Sequence, residues 1–171
     1  IKLNYLIFFQ NLKFDKRSGK ELFEKYNLYP SFPVSTANFT FIHNNKKYYP
    51  LSNISNSKVF LPNEEGFYPI YQSDKYGFNN QSFETNPDII LIGDSFVEGC
   101  CVESSKNIAG NLLRNYKVLN LGKIGNGPLV EYATYIEYAK DIEAKYVFWF
   151  FFDNDIQDLY RELNSEILSK Y

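Results

Sequence analysis

A chain of 171 residues, 44% hydrophobic and 22% charged, has the length and composition of one globular domain and not of a disordered or fibrous segment. A formal net charge of −2 supplies no basic surface, so nucleic acid is not expected as a partner. With one histidine, His43, and two adjacent cysteines, Cys100 and Cys101, no His/Cys metal cluster can form, and neither a metal nor an organic cofactor is expected.

Ordinary disulfide geometry argues against a bridge between neighbours, so Cys100 and Cys101 are not expected to bond to each other. Aromatic residues make up 19% of the chain. A biased genome composition explains that more simply than an aromatic sugar-binding surface. The sequence contains no Met and begins at Ile1, so the expectation is a processed chain or a piece of a longer reading frame. No apolar run approaches the ~18–20 residues of a membrane span, and membrane contact is expected only through an anchor upstream of Ile1.

In chain order, Ile1–Leu12 is apolar and fits either a strand or the tail of a helix. Ser18–Tyr26 has Leu22, Phe23 and Tyr26 at helical spacing, with Ser18 as the cap. From Leu28 to Glu84, Pro30, Pro33, Pro50, Pro62 and Pro69 punctuate an Asn- and Ser-rich stretch that helices do not tolerate. Phe39–Ile42, Lys58–Leu61 and Gly66–Tyr71 read as short strands, with Asn44-Asn45 as a hairpin turn. Residues 1–87 are thus an irregular, β-rich lead-in packed on a core formed by 88–171.

The core alternates. Ile89–Ile92 is an apolar run before Gly93-Asp94-Ser95, and it reads as a buried strand. Ser104 or Ser105 caps a helix with Ile108, Leu112 and Leu113 inward, ending near Asn115. Lys117–Leu121 is the second strand. Pro128 suits the first turn of a helix that reaches about Glu143, with Tyr132, Tyr135, Ile136 and Ala139 inward. Lys145–Phe152, KYVFWFFF, is the third strand, apolar enough to be buried on both faces. Ile156, Leu159, Leu163 and Ile167 mark a last helix over Ile156–Ser169. This alternation predicts an α/β fold with a three-layer, flavodoxin-like parallel sheet of order 2-1-3, incomplete at the strand 3 edge. Its crevice lies outside the carboxyl ends of the strands, where Ser95, Gly125 and Asn154 all fall.

Gly93-Asp94-Ser95-Phe96 resembles the first signature of the SGNH/GDSL hydrolases. Residues 120–128, NLGKIGNGP, look like the second block of that family, and Phe152-Asp153-Asn154-Asp155 like the third, with Asp153 where the family usually has Gly. The likeness covers roughly Ile89 to Leu159. It implies Ser95 as nucleophile, the backbone N–H groups of Ser95 and Gly125 with the Asn154 amide as oxyanion donors, and Asp94 as loop support. Taken singly, a helix cap at Ser95, a tight turn at Gly125 and a cap at Asn154 explain the same residues; together they favour acyl transfer.

The family's late Asp-x-x-His is missing. His43 is expected on a surface turn, away from the crevice. An apolar strand 3 left at an edge argues for a chain cut before further strands and that motif, catalytically incomplete as given. Tyr71–Asn79 resembles a segment of bacterial SGNH-like proteins linked to polysaccharide modification, although packing of Phe78 on the core explains it more simply. The expected function is a serine esterase or O-acyltransferase acting on a small-molecule or glycan ester. The alternative is a non-catalytic carbohydrate-binding or scaffolding module on a decayed SGNH fold. A flavodoxin-like nucleotide binder is disfavoured, because no Lys stands in the P-loop position. The resemblance implies the bacterial envelope; composition alone leaves the cytoplasm equally open.

Overall fold

The computed structural model describes residues 14–33 and 40–171. The apolar stretch Ile1–Leu12 and Phe39, the first residue of one expected strand, lie outside the described residues. Helix α1 (Gly19–Tyr26) forms as its sequence dictates. Ser18 is extended at the N-cap, and its Oγ accepts the Glu21 N–H at 3.1 Å. Asn27 closes the helix in the left-handed conformation. Leu22 is buried, whereas Phe23 and Tyr26 remain half exposed.

The rest of the lead-in is two small sheets. Strands β1 (Tyr29–Pro30), β2 (Phe41–His43), β3 (Lys46–Tyr48), β4 (Lys58–Phe60) and β5 (Ile70–Gln72) follow in order. β1-β4-β5 form one sheet, and β2 and β3 form a separate antiparallel hairpin. Asn44 and Asn45 both take positive φ, 49° and 59°, which is what a two-residue hairpin loop requires. The strand expected over Gly66–Tyr71 is present only at its end. Pro69 has no N–H to give a ladder, and pairing starts at Ile70.

The core contains strands β6 (Ile89–Ile92), β7 (Val118–Asn120) and β8 (Tyr146–Trp149), all parallel, in the order β7-β6-β8. Helices α2 (Ser95–Glu98) and α3 (Ile108–Leu112) follow β6, α4 (Pro128–Tyr138) follows β7, and α5 (Asp155–Glu162) follows β8. Every residue of the central strand is buried. Ile89, Leu91 and Val118 pack against Val97 and Ala109. Ile90, Ile92, Leu119 and Leu121 pack with Phe78 and Ala139.

Four core expectations are corrected. Asn107, not Ser104 or Ser105, caps α3, its Oδ1 accepting the Gly110 N–H at 2.7 Å. Ser104 and Ser105 instead fold across Gly110, where any Cβ would lie 2.0 Å from the Ser104 carbonyl oxygen. That helix also stops at Leu112, leaving Leu113 half exposed. Helix α4 stops at Tyr138, because Ala139 leaves the helical region. Its fully buried residues are Val130, Glu131, Ala133 and Thr134; Tyr132 points outward, while Tyr135 packs on the core beside the buried Ala139, as expected.

The other two corrections concern the end of the sheet. β8 is not buried on both faces: Tyr146, Val147, Phe148 and Trp149 are 56%, 46%, 44% and 37% exposed, since β6 is their single strand neighbour among the described residues. Helix α5 turns the opposite way from its apolar spacing. Asp155, Asp158 and Glu162 face inward, while Ile156, Tyr160 and Leu163 are 78%, 76% and 59% exposed.

The cysteine expectation is also overturned. Cys100 and Cys101 are joined to each other, across a cis peptide that brings their Cα atoms to 3.1 Å. Among the described residues no helix is long and apolar enough to cross a membrane.

Candidate functional site

Each of the three loops at the carboxyl edge of the core sheet is shaped by local contacts. After β6, Asp94 caps α2, its carboxyl accepting the Phe96 N–H at 3.0 Å, so Ser95 begins the helix. Asp94 is buried, and that burial, with Asp155 and Asp158 nearby, raises its pKa. Ser95 is partly exposed, and among the described residues its Oγ makes no hydrogen bond. Asp94 thus caps the helix that begins at Ser95.

After β7 the chain runs close along α2. A Cβ at Gly122 would meet the Glu98 nitrogen at 2.4 Å, so the close approach of this loop to the helix needs glycine. Gly125 has φ +71°, and a Cβ there would meet Pro33 at 2.4 Å. Glycine at 125 is thus required by backbone conformation and by the lead-in, in addition to any approach of a substrate.

After β8, Asn154 takes the N-cap position of α5 without making a side-chain cap bond. Asp155 serves the turn in its place, accepting the Phe152 N–H at 2.6 Å. The exposed Asn154 amide donates one N–H to Asp158 Oδ2 at 2.9 Å, which orients it and leaves its second N–H for another acceptor. Phe96 of α2 and Phe152 lie with ring centroids 4.8 Å apart, bridging the Ser95 and Asn154 loops. Ser95, Gly125 and Asn154 therefore leave three neighbouring parallel strands at the same end. Asp153 is exposed beside them.

His43 does not join this edge. It sits on the exposed β2 strand with its ring 6.4 Å from that of Tyr48. That hairpin borders a cavity with Glu137 and Tyr138, at the far end of α4 from Gly125. Eleven helical residues separate those ends, about 16 Å.

Two arrangements had no signal in the sequence. The first centres on Glu98, fully buried on α2. Its Oε1 accepts from Ser31 Oγ at 2.7 Å, Asn53 Nδ2 at 2.8 Å and the Tyr71 hydroxyl at 2.7 Å, and its Oε2 accepts the Ile124 N–H at 2.5 Å. This carboxyl ties the lead-in to the residue before Gly125. Lys123 is buried alongside, its Nζ donating to the Phe32 carbonyl, and burial lowers its pKa. Lys123 also contributes to a groove of about 920 Å³ lined mainly by Phe23, Tyr29, Phe32, Pro33 and Ile54.

The second is a set of inward carboxyls behind the edge. Glu162 accepts the N–H groups of Gly127, Leu129 and Val130 at 2.6, 2.9 and 3.3 Å, closing the N-terminus of α4, and burial raises its pKa to about 7. Glu131 accepts the Trp149 Nε1–H at 2.5 Å, and burial raises its pKa to about 8. Neither was readable beforehand, because both lie on helix faces whose apolar spacing pointed elsewhere.

Among the described residues, ligand atoms of Glu64, Cys100 and Cys101 lie within 4.8 Å of one another. With the two sulfurs bonded to each other, that group lacks the thiolates a soft metal needs. Comparison with known protein families, with curated proteins and with solved structures finds no match.

Proposed function

We propose that the chain carries a serine acyl-transfer site of the SGNH/GDSL type, an ester hydrolase or O-acyltransferase, on a three-layer flavodoxin-like core. Ser95 Oγ attacks the ester carbonyl, its proton passing to solvent. The tetrahedral adduct collapses with cleavage of the ester C–O bond, so that the alcohol leaves and an acyl-serine remains. The backbone N–H groups of Ser95 and Gly125 and the Asn154 amide receive the oxyanion. Asp94 holds the turn that presents Ser95. One observation carries the reading: Ser95, Gly125 and Asn154 follow β6, β7 and β8 at one edge of an adjacent, parallel set. The substrate is a small-molecule or glycan ester, its acyl part suited to the apolar groove beside Pro33. The Tyr71–Asn79 resemblance is what points to a glycan; here Phe78 of that segment is a core residue.

No imidazole adjoins Ser95 among the described residues, so turnover by the chain as given is expected to be slow. A fluorophosphonate probe should label Ser95, and Ser95→Ala should abolish the labelling. Asn154→Ala should lower both labelling and aryl-ester hydrolysis by roughly 10²–10³. An unlabelled Ser95 in a folded chain would remove this reading.

The absent imidazole and the exposed Asp153 favour a second reading, a carbohydrate-binding or scaffolding module without turnover. Calorimetric titration with acetylated and deacetylated glycans separates the two. Affinity for a glycan together with an inert Ser95 selects the module.

A further inference from the structure

Among the described residues Lys123 is the one buried cation, 1% exposed. Its Nζ carries three N–H groups, and one of them bonds the Phe32 carbonyl. It forms no ion pair with a described residue. Glu98 lies nearby and favours the charged amine, yet its two oxygens are already taken by Ser31, Asn53, Tyr71 and the Ile124 N–H. Residues 1–13 and 34–39 contain neither Asp nor Glu, so they offer no carboxylate either. A buried ammonium without a counter-ion is costly, and burial lowers its pKa accordingly.

Lys123 and Phe32 both line the groove of about 920 Å³ beside Pro33, a size ordinary for a small-molecule site. Phe23, Phe32 and Ile54 form its walls and remain 47%, 61% and 51% exposed, an apolar patch open to solvent. Its polar side chains are mostly committed. Asn53 donates to Glu98, Ser52 to the Tyr76 carbonyl, and Lys20, itself exposed, pairs with Glu24 at 3.7 Å. No Asp or Glu is among the described residues that line it.

We infer that this groove binds a long-chain monocarboxylate, its carboxylate accepting from Lys123 Nζ and its alkyl chain lying on Phe23, Phe32 and Ile54. Charge complementarity selects the head group: one buried ammonium with donors to spare takes one carboxylate, and no acid in the groove repels it. A neutral amphiphile would leave Lys123 uncompensated. A phosphate's second charge would find only Lys20, which Glu24 already holds. The walls select the tail, since each methylene moved from water onto them is favourable. The site goes beyond the acyl-transfer reading and stands whether or not Ser95 reacts.

Calorimetric titration of the 171-residue chain with sodium decanoate is the test, decanol being the neutral control and circular dichroism the check of fold. Decanoate should bind at least about tenfold more tightly than decanol, the worth of a hydrogen bond to a charged group. Each methylene added, from octanoate to dodecanoate, should tighten binding about fourfold. Both results need only the unaltered chain. Lys123→Met should remove the preference for decanoate and leave decanol bound as before, whereas Lys20→Met should change neither by more than about twofold. The inference is overturned if the folded chain binds no decanoate, which would mean that another segment fills the groove. It is equally overturned by equal affinity for the two probes, or by a preference for decanoate that survives Lys123→Met and so belongs to another surface.

Discussion

Glu98 shows how much one side chain can decide. It gathers three side-chain donors and one backbone donor on a carboxyl with no access to solvent. Glu98→Ala leaves the Tyr71 hydroxyl and the Ile124 N–H without their acceptor, while Ser31 and Asn53 keep only each other and the Tyr71 oxygen, and it should cost about 3 kcal/mol or more in urea unfolding. Glu98→Gln keeps an acceptor for Ser31, Asn53 and Tyr71 but turns an amide donor toward the Ile124 N–H. The loss of stability should be smaller, while the backbone leading to Gly125 shifts and labelling of Ser95 slows. None of this could be read from the sequence, because nothing local distinguishes a Glu on a short helix that will be buried from one that will be solvated. The turn after β6 was legible because turn chemistry is local: an apolar run, then Gly93-Asp94-Ser95, then a helix start. The Cys100–Cys101 bond was misread because ordinary disulfide geometry does not describe a pair whose Cα atoms lie 3.1 Å apart.

At the scale of elements, α5 shows what apolar spacing cannot tell. Ile156, Leu159 and Leu163 recur at helical spacing, yet the face that packs is Asp155, Asp158 and Glu162. The reason lies in the partners. The N-terminus of α4 offers three N–H groups that the Glu162 carboxyl accepts, and Asp158 accepts the Asn154 amide. Hydrogen-bond demand from neighbouring elements overrode the apolar pattern. Ile156→Lys should therefore change stability by no more than about 0.5 kcal/mol. Asp158→Ala should cost clearly more in the same denaturant titration, since Asp158 also binds Arg161 at 2.7 Å. β8 teaches the same lesson from the other side. Its existence was readable from an unbroken apolar run and its place beside β6 from the strand–helix alternation, but the strand is Tyr146–Trp149, half the length expected over Lys145–Phe152. Its exposure was not readable, because an apolar run does not say how many neighbours a strand has.

For the whole molecule, the inward carboxyls set the response to pH. Unfolded, Glu131 and Glu162 lose their protons near the ordinary glutamate pKa; folded, they hold them up to about 8 and about 7. The folded state therefore binds more protons between these limits, and stability falls as pH rises from about 5 to about 8. The melting temperature should decline across that window, and Glu131→Gln should flatten the upper part of the decline. A melting temperature that rises over the same range would contradict the burial described for these groups.

The Glu98 contacts also have an order in time. Ser31, Asn53 and Tyr71 leave the ribosome 67, 45 and 27 residues ahead of the carboxyl that receives them. For much of synthesis the lead-in carries polar groups destined for an interior that does not yet exist. Until β6 and α2 emerge with the acceptor, these groups have only water and one another as partners. The backbone beside Gly125 is translated later still, and its Ile124 N–H is the last donor to reach the same carboxyl. The half of the chain that contributes none of the three proposed acyl-transfer groups would thus act as the mould in which one of them is cast.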